Sequence, residues 1–210
     1  MTQNDIPIIY QDDDVIVAVK PNGLLSVPGR LPENKDCLIT RIQQTRPEAL
    51  IVHRLDCETS GLVVLACNKA SHKELSRQFH DRETQKRYVA VVDGLMTDEV
   101  GEIDLPLIAD WPNRPKQMVD FERGKPSQTL YKVINRTDNT TRVELTPITG
   151  RSHQLRVHML SLGHAILGDK LYANESVIEK APRMLLHAQE LGFKHPITEE
   201  FCVYHYPAEF

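Results

Sequence analysis

The chain has 210 residues, 40% of them hydrophobic and 26% charged, with a formal net charge of −4. That is the composition of an ordinary globular domain, long enough to bury a core without staples. Cys37, Cys57, Cys67 and Cys202 lie scattered, no apolar run could cross a bilayer, and Met-Thr-Gln-Asn-Asp lacks the features of a signal peptide, so disulfides, a zinc centre, membrane insertion and secretion are all set aside in favour of the cytoplasm.

Ile8–Tyr10 and Val15–Lys20 read as short strands joined by the Asp12-Asp13-Asp14 turn, and Lys20-Pro21-Asn22-Gly23 breaks the second. A loop over Leu24–Arg30 follows, and Asp36 is placed to cap a helix from about Cys37 to Gln44. Leu62–Ala66 is apolar and partly β-branched, as a buried strand is. Lys69–Arg82 alternates charge around Leu75 and Phe79 at helical spacing, which predicts an amphipathic helix. Lys86–Val92 is a strand closing at Asp93-Gly94, Ile103–Ile108 is interrupted by Pro106, and Asp110–Gly124 is an irregular or hairpin excursion. Ser127–Asn135 and Thr141–Pro147 form paired strands around Asp138-Asn139. Ser152 is placed to cap a helix to Leu162 that carries Leu155, Met159 and Leu162 on one side, and Met184–Leu191 and Phe201–Tyr204 are strands. Strands outnumber helices without βαβ regularity. One α+β domain over 1–210 is expected, its mainly antiparallel mixed sheet flanked by helices and loops.

The net negative charge argues mildly against a nucleic-acid partner, but the cations are not evenly spread. Lys69, Lys73, Arg77, Arg82, Lys86 and Arg87 share one segment, and Arg114, Lys116, Arg123 and Lys125 another. A basic face on a mildly acidic protein is the expectation.

The densest stretch for chemistry is His53-Arg54-Leu55-Asp56-Cys57-Glu58-Thr59-Ser60-Gly61-Leu62. On an extended segment Arg54 and Asp56 share a face. An isolated Arg-x-Asp is usually a turn cap with a surface partner, whereas a carboxylate kept ionised by nearby cations can act as a nucleophile. Later come Lys86-Arg87-Tyr88, then Gly150-Arg151-Ser152-His153-Gln154-Leu155-Arg156-Val157-His158, then Arg183-Met184-Leu185-Leu186-His187-Ala188. The spacing of His153 and His158 puts them on different helix faces, against a helical zinc pair.

These stretches, in this order and with Lys20-Pro21-Asn22-Gly23 ahead of them, resemble the signatures of the RluA family of pseudouridine synthases, with Leu155 where Ile is usual. The match runs from about Tyr10 to Ala188. The resemblance implies the pseudouridine synthase fold, no S4 RNA-binding domain, no metal and no cofactor. It implies isomerisation of RNA uridines by Asp56, acting as nucleophile or base, with Tyr88 packed on the extruded ring. Arg156 would pair with Asp56, so that its loss falls on activity far more than on folding. Arg54 would fill the space left by the flipped base, and Leu186 would wall the pocket. His53, Lys86, Arg87, Arg114, Lys116 and Arg151 are candidate RNA contacts, and Lys20 either reaches phosphate or caps its loop. His187 is expected to be structural. Asp110–Gln117 and the short length look closest to the dual-specificity branch, which acts on 23S rRNA and tRNA anticodon stem-loops. Two rivals are a catalytically idle RNA-binding module of the same fold and a cofactor-free hydrolase using Asp56, for which no second carboxylate or Ser/His elbow is present.

Overall fold

The computed structural model describes residues 6–29 and 31–210. Its contacts divide the chain into two compact units, one running up to Lys86 and resuming over Ala188–Glu209, the other holding Arg87–His187 and Phe210.

In the first unit, β1 (Ile8–Gln11) and β2 (Val15–Lys20) make an antiparallel hairpin. Its turn is fixed by Asp12, whose Oδ1 accepts from the backbone N–H groups of Asp14 and Val15, both at 2.8 Å. The helix expected over Cys37–Gln44 is the shorter α1 (Leu38–Ile42). Its cap is Cys37, with Thr40 closing a capping box, and not Asp36, whose carboxylate is taken by Arg41 at 2.6 Å. A guanidinium in reach outbids a backbone N–H for an exposed carboxylate.

β3 (Leu50–Ile51) and β2 both pair antiparallel with β4 (Ser60–Ala66), whose seven residues are all buried. The ladder runs from Val15 opposite Ala66 to Lys20 opposite Gly61, so the Lys-Pro-x-Gly turn and the exit of the Asp56 loop meet at one end. α2 (Lys69–Asp81) forms where charge and apolar residues alternate, and Asn68 caps it by accepting from Ser71 N at 2.9 Å. Leu75 on its inner face is fully buried, with Val17, Leu62, Val64, Leu191 and Phe193 among its core partners.

The second unit carries most of β5 (Gln85–Asp93), then β6 (Val100–Asp104), β7 (Leu107–Ala109) and β8 (Gln117–Val119). Pro106 splits the expected Ile103–Ile108 strand, and the excursion after it is a hairpin, β7 pairing antiparallel with β8. β9 (Gln128–Thr137) and β10 (Thr140–Pro147) pair around Asp138-Asn139 as the turn signal requires, giving the antiparallel order β5-β10-β9-β6. Alternate residues of β10, from Thr141 through Val143 and Leu145 to Pro147, turn inward.

α3 (Gln154–Ser161) starts later than expected, and its cap position is His153, in the left-handed region at φ 55°, rather than Ser152. A one-sided helix was predicted, yet Gln154 through Met159 are all buried. The polar ones among them, Gln154, Arg156 and His158, all have hydrogen-bond partners, which is what lets a polar helix sit inside.

α4 (Glu175–Ile178), capped by Asn174, carries no periodicity long enough to predict. β11 (Leu186–Lys194) begins in this unit and ends in the first, where it pairs antiparallel with β12 (Phe201–His205). The class is the α+β one expected, with a mainly antiparallel sheet and few helices.

Gly61 has φ 121°, and a Cβ there would lie 2.3–2.7 Å from the backbone of Ala188. Only glycine lets β4 approach β11 at that point. Among the described residues no helix is long and apolar enough to cross a membrane.

Candidate active site

Asp56 lies between β3 and β4 in a stretch without regular secondary structure, so other groups must fix its backbone. Leu55 turns inward, 5% exposed, between exposed Arg54 and half-buried Asp56. Its N–H donates to Ser26 Oγ at 3.1 Å, and the same hydroxyl donates back to Leu55 O at 2.8 Å. On the other side, Cys57 O accepts from Gly23 N at 3.0 Å and from Lys20 Nζ at 2.9 Å. Asn22 Nδ2 donates to Glu58 O, and Thr59 N closes a turn on Asp56 O at 3.1 Å. An open cleft of about 540 Å³ runs beside the loop, lined by residues that include Asn22, Leu24, Arg41 and Cys57.

Lys20 does not reach phosphate. Its side chain is fully buried, and Nζ donates to Pro21 O at 2.8 Å, Leu24 O at 2.7 Å and Cys57 O at 2.9 Å. An ammonium has three donors, and each has its carbonyl. Of the two readings open from sequence, the loop cap is correct. Burial pushes the Lys20 pKa down to about 8, while the carboxylates of Asp56 and Glu58 favour its charge. At neutral pH it is a fixed cation beneath the loop.

His53 is committed to the fold rather than offered to RNA. Its Nε2 accepts from Val64 N at 3.1 Å, which puts the proton of the neutral ring on Nδ1, and it stacks on Phe79 with centroids 4.3 Å apart. Burial, with repulsion from Lys86, lowers its pKa to about 3. Lys86 stands 6.0 Å from the Phe79 centroid and is half-buried, and burial lowers its pKa too.

The remaining predicted residues belong to the second unit. Tyr88 on β5 is half-buried and packs against the cluster of Leu145, Leu155, Met159, Met184 and Leu186, while Arg87 beside it is exposed. Leu186 is only 2% exposed, so it is a core residue of the cluster that supports Tyr88. Arg151 is exposed, with Nε 3.4 Å from Pro126 O.

Arg156 is 3% exposed. Its Nε and Nη2 donate to Asp169 Oδ2 and Oδ1 at 2.8 and 2.6 Å, a bidentate pair with a carboxylate only 1% exposed. Asp169 Oδ1 also accepts from the backbone N–H groups of Leu171 and Tyr172 at 3.0 and 3.3 Å. The guanidinium lies 5.0 Å from the centroid of the Tyr172 ring. The Tyr172 hydroxyl, in turn, meets His153 Nδ1 and accepts from Gln117 N at the start of β8, both at 2.7 Å.

The rest of this motif locks the helix in place. Gln154 Oε1 accepts from Thr149 Oγ1 and Arg151 N, and its Nε2 donates to Gln128 O and Thr129 Oγ1, all within 3.0 Å. His158 meets Thr129 Oγ1 at 2.9 Å and Leu105 O at 3.1 Å. His164 Nδ1 meets Asp93 O at 2.8 Å, so these histidines serve three separate fold contacts. Among the described residues no group of three or more His, Cys, Asp or Glu side chains is arranged for a metal.

Ser26, Asn22, Asp169 and Tyr172 were missed from sequence. The Gly168-Asp169 dipeptide is a turn signal, but nothing local says its carboxylate is buried under an arginine from another element.

A family model described as RNA pseudouridylate synthase matches residues 14–161. The chain is 57% identical over 204 residues to the dual-specificity RNA pseudouridine synthase RluA of Escherichia coli strain K12, covering 97% of this chain and 93% of that one. It is 51% identical over 206 residues to the protein of the same name from Pasteurella multocida strain Pm70, covering 98% and 94%. Among solved structures, human RNA pseudouridylate synthase domain containing 1 superposes with a TM-score of 0.83 at 28% identity, covering 99% of this chain and 85% of that one. The motif order from Lys20 to Ala188 and the architecture thus lead to one conclusion: this chain belongs to the RNA pseudouridylate synthase family, isomerases that turn uridine into pseudouridine.

Proposed function

We propose that this enzyme isomerises uridines in the loops of structured RNA, in 23S rRNA and in the tRNA anticodon stem-loop, and that Asp56 carries the reaction in the cytoplasm. The support for the substrates is the likeness to relatives named dual-specificity. The observation that carries the catalytic reading is the hold on Asp56: Leu55, Cys57 and Glu58 on either side are bonded to Ser26, Gly23, Lys20 and Asn22. A carboxylate whose backbone is fixed before substrate arrives loses little order in reaching the transition state.

The target base leaves its stack, which costs a few kcal/mol in a duplex and less in a loop. Arg54, exposed beside Asp56, fills the vacated space with its planar guanidinium. The bond from N1 to the sugar breaks with Asp56 as nucleophile or base, the uracil turns, and C5 bonds to the sugar. The C5 proton leaves to water and N1 regains one, so the product is an isomer. Tyr88 packs on the ring. By the likeness to the family, Arg156 is the cation assigned to serve Asp56, and Asp169 holds its guanidinium in orientation. Lys86, Arg87, Arg114, Lys116 and Arg151 hold backbone phosphates.

Release of tritium from RNA carrying 5-tritiated uridine tests the reading, because only isomerisation exchanges that hydrogen. Wild-type protein is expected to release it, and Asp56→Asn to bind the RNA near-normally without release. No release by wild type on either RNA sinks the function; substantial release by Asp56→Asn removes Asp56 from its role.

A further inference from the structure

The loop between β7 and β8 holds the chain's one tryptophan in the open. Trp111 is 66% exposed in a single 3-10 turn, Trp111–Asn113, where an indole would ordinarily be largely buried. The guanidinium of Arg114 lies over the ring, 4.1 Å from its centroid. With that face covered by a cation, the exposed area belongs to the opposite face and the ring edge.

The loop is braced. Asp110 N donates to Lys116 O at 2.9 Å, Asn113 N to Asp110 O and Lys116 N to Asn113 O, each at 3.0 Å, and Asn113 Nδ2 to Asp110 Oδ2 at 2.8 Å. Its root is tied at Gln117 N to the Tyr172 hydroxyl, and Tyr172 lies against the Arg156 guanidinium. The platform therefore stands at a fixed offset from Arg156 within one unit.

The surroundings select the ligand. Pro112, Asn113, Arg114 and Pro115 around the indole are all exposed, and Asn113 and Arg114 put polar and cationic groups beside the ring where a protein-binding core would be depleted of charge. A single aromatic face backed by a guanidinium suits one unpaired nucleobase with its phosphate. Resting on the RNA substrate proposed above, we infer that Trp111, backed by Arg114, is a stacking platform for an unpaired base of the loop that carries the target uridine, and so helps decide which loops are accepted.

Trp111 reports on itself. Asp56→Asn protein, which binds without turning over, is titrated with a tRNA anticodon stem-loop while tryptophan emission and the anisotropy of labelled RNA are followed together. Emission is expected to fall along the binding curve, and a fully paired duplex of the same stem to leave it unchanged. Trp111→Ala on this background should weaken stem-loop binding about 10-fold, and Trp111→Phe should recover most of it. Binding with no change in emission, equal quenching by the duplex, or undiminished binding by Trp111→Ala would each overturn the platform. Quenching without tritium release by the wild type would instead overturn the catalytic reading and leave the platform standing.

Discussion

Arg156 and Asp169 form a bidentate ion pair with almost no contact with water, their side chains 3% and 1% exposed. From sequence, Arg156→Ala was expected to act mainly on activity. The burial changes that expectation, because removing one partner strands a charge in the interior. Arg156→Ala and Asp169→Ala should each cost about 3–5 kcal/mol in urea melts, whatever they do to turnover. A change of under about 1 kcal/mol, the range of an exposed pair, would show that the pair is not buried in solution.

Lys20→Met keeps the length of the side chain but strips donors from the carbonyls of Pro21, Leu24 and Cys57. An unsatisfied buried polar group costs about 1–3 kcal/mol. Relief from burying a charge offsets part of this, so a net loss of about 2–4 kcal/mol is expected. Hydrogen exchange around residues 55–59 should quicken. A variant as stable as its parent would return Lys20 to the surface role considered from sequence.

His53 gives the fold a defined acid sensitivity. Its pKa falls from 6.5 to about 3 on folding, chiefly through burial. Between those values the unfolded chain binds a proton that the folded one refuses, so this contribution to stability is complete above 6.5 and is lost as pH falls toward 3. His53→Gln, which retains an acceptor for Val64 N, should flatten the stability profile across that window in melts run at stepped pH. An unchanged slope would mean the imidazole is already solvated in the native state.

The basic-face expectation leads to a salt titration. Each phosphate neutralised on single-stranded RNA adds about −0.7 to the slope of log K against log salt. Arg87→Ala and Arg151→Ala, both at exposed positions, should each make the slope shallower by about that amount, and Lys20→Met should leave it unchanged. A flat titration for the wild type would remove the claim.

Much of this molecule was legible in its residues. β4, α2 and the β9–β10 hairpin follow from an apolar run, from helical spacing after Asn68 and from Asp138-Asn139. These are local signals, and local physics decides them. What escaped was non-local. α3 reads as one-sided because its sequence shows Arg156 and His158 but not the Asp169 and Thr129 waiting for them. Lys20 stays open between phosphate and loop cap in the sequence because the carbonyls of Pro21, Leu24 and Cys57 that take its amine leave no trace in composition. Asp36 was a sound cap candidate, and lost its place to an arginine only one turn into the helix.

Lys20 has a practical corollary. With its amine closed off by backbone oxygens, acylating or reductively methylating reagents that mark outward-facing lysines will pass it over in the native protein. Its modification during a timed pulse would clock how often the neighbouring loop breathes, giving a covalent record of excursions too brief to alter a spectrum.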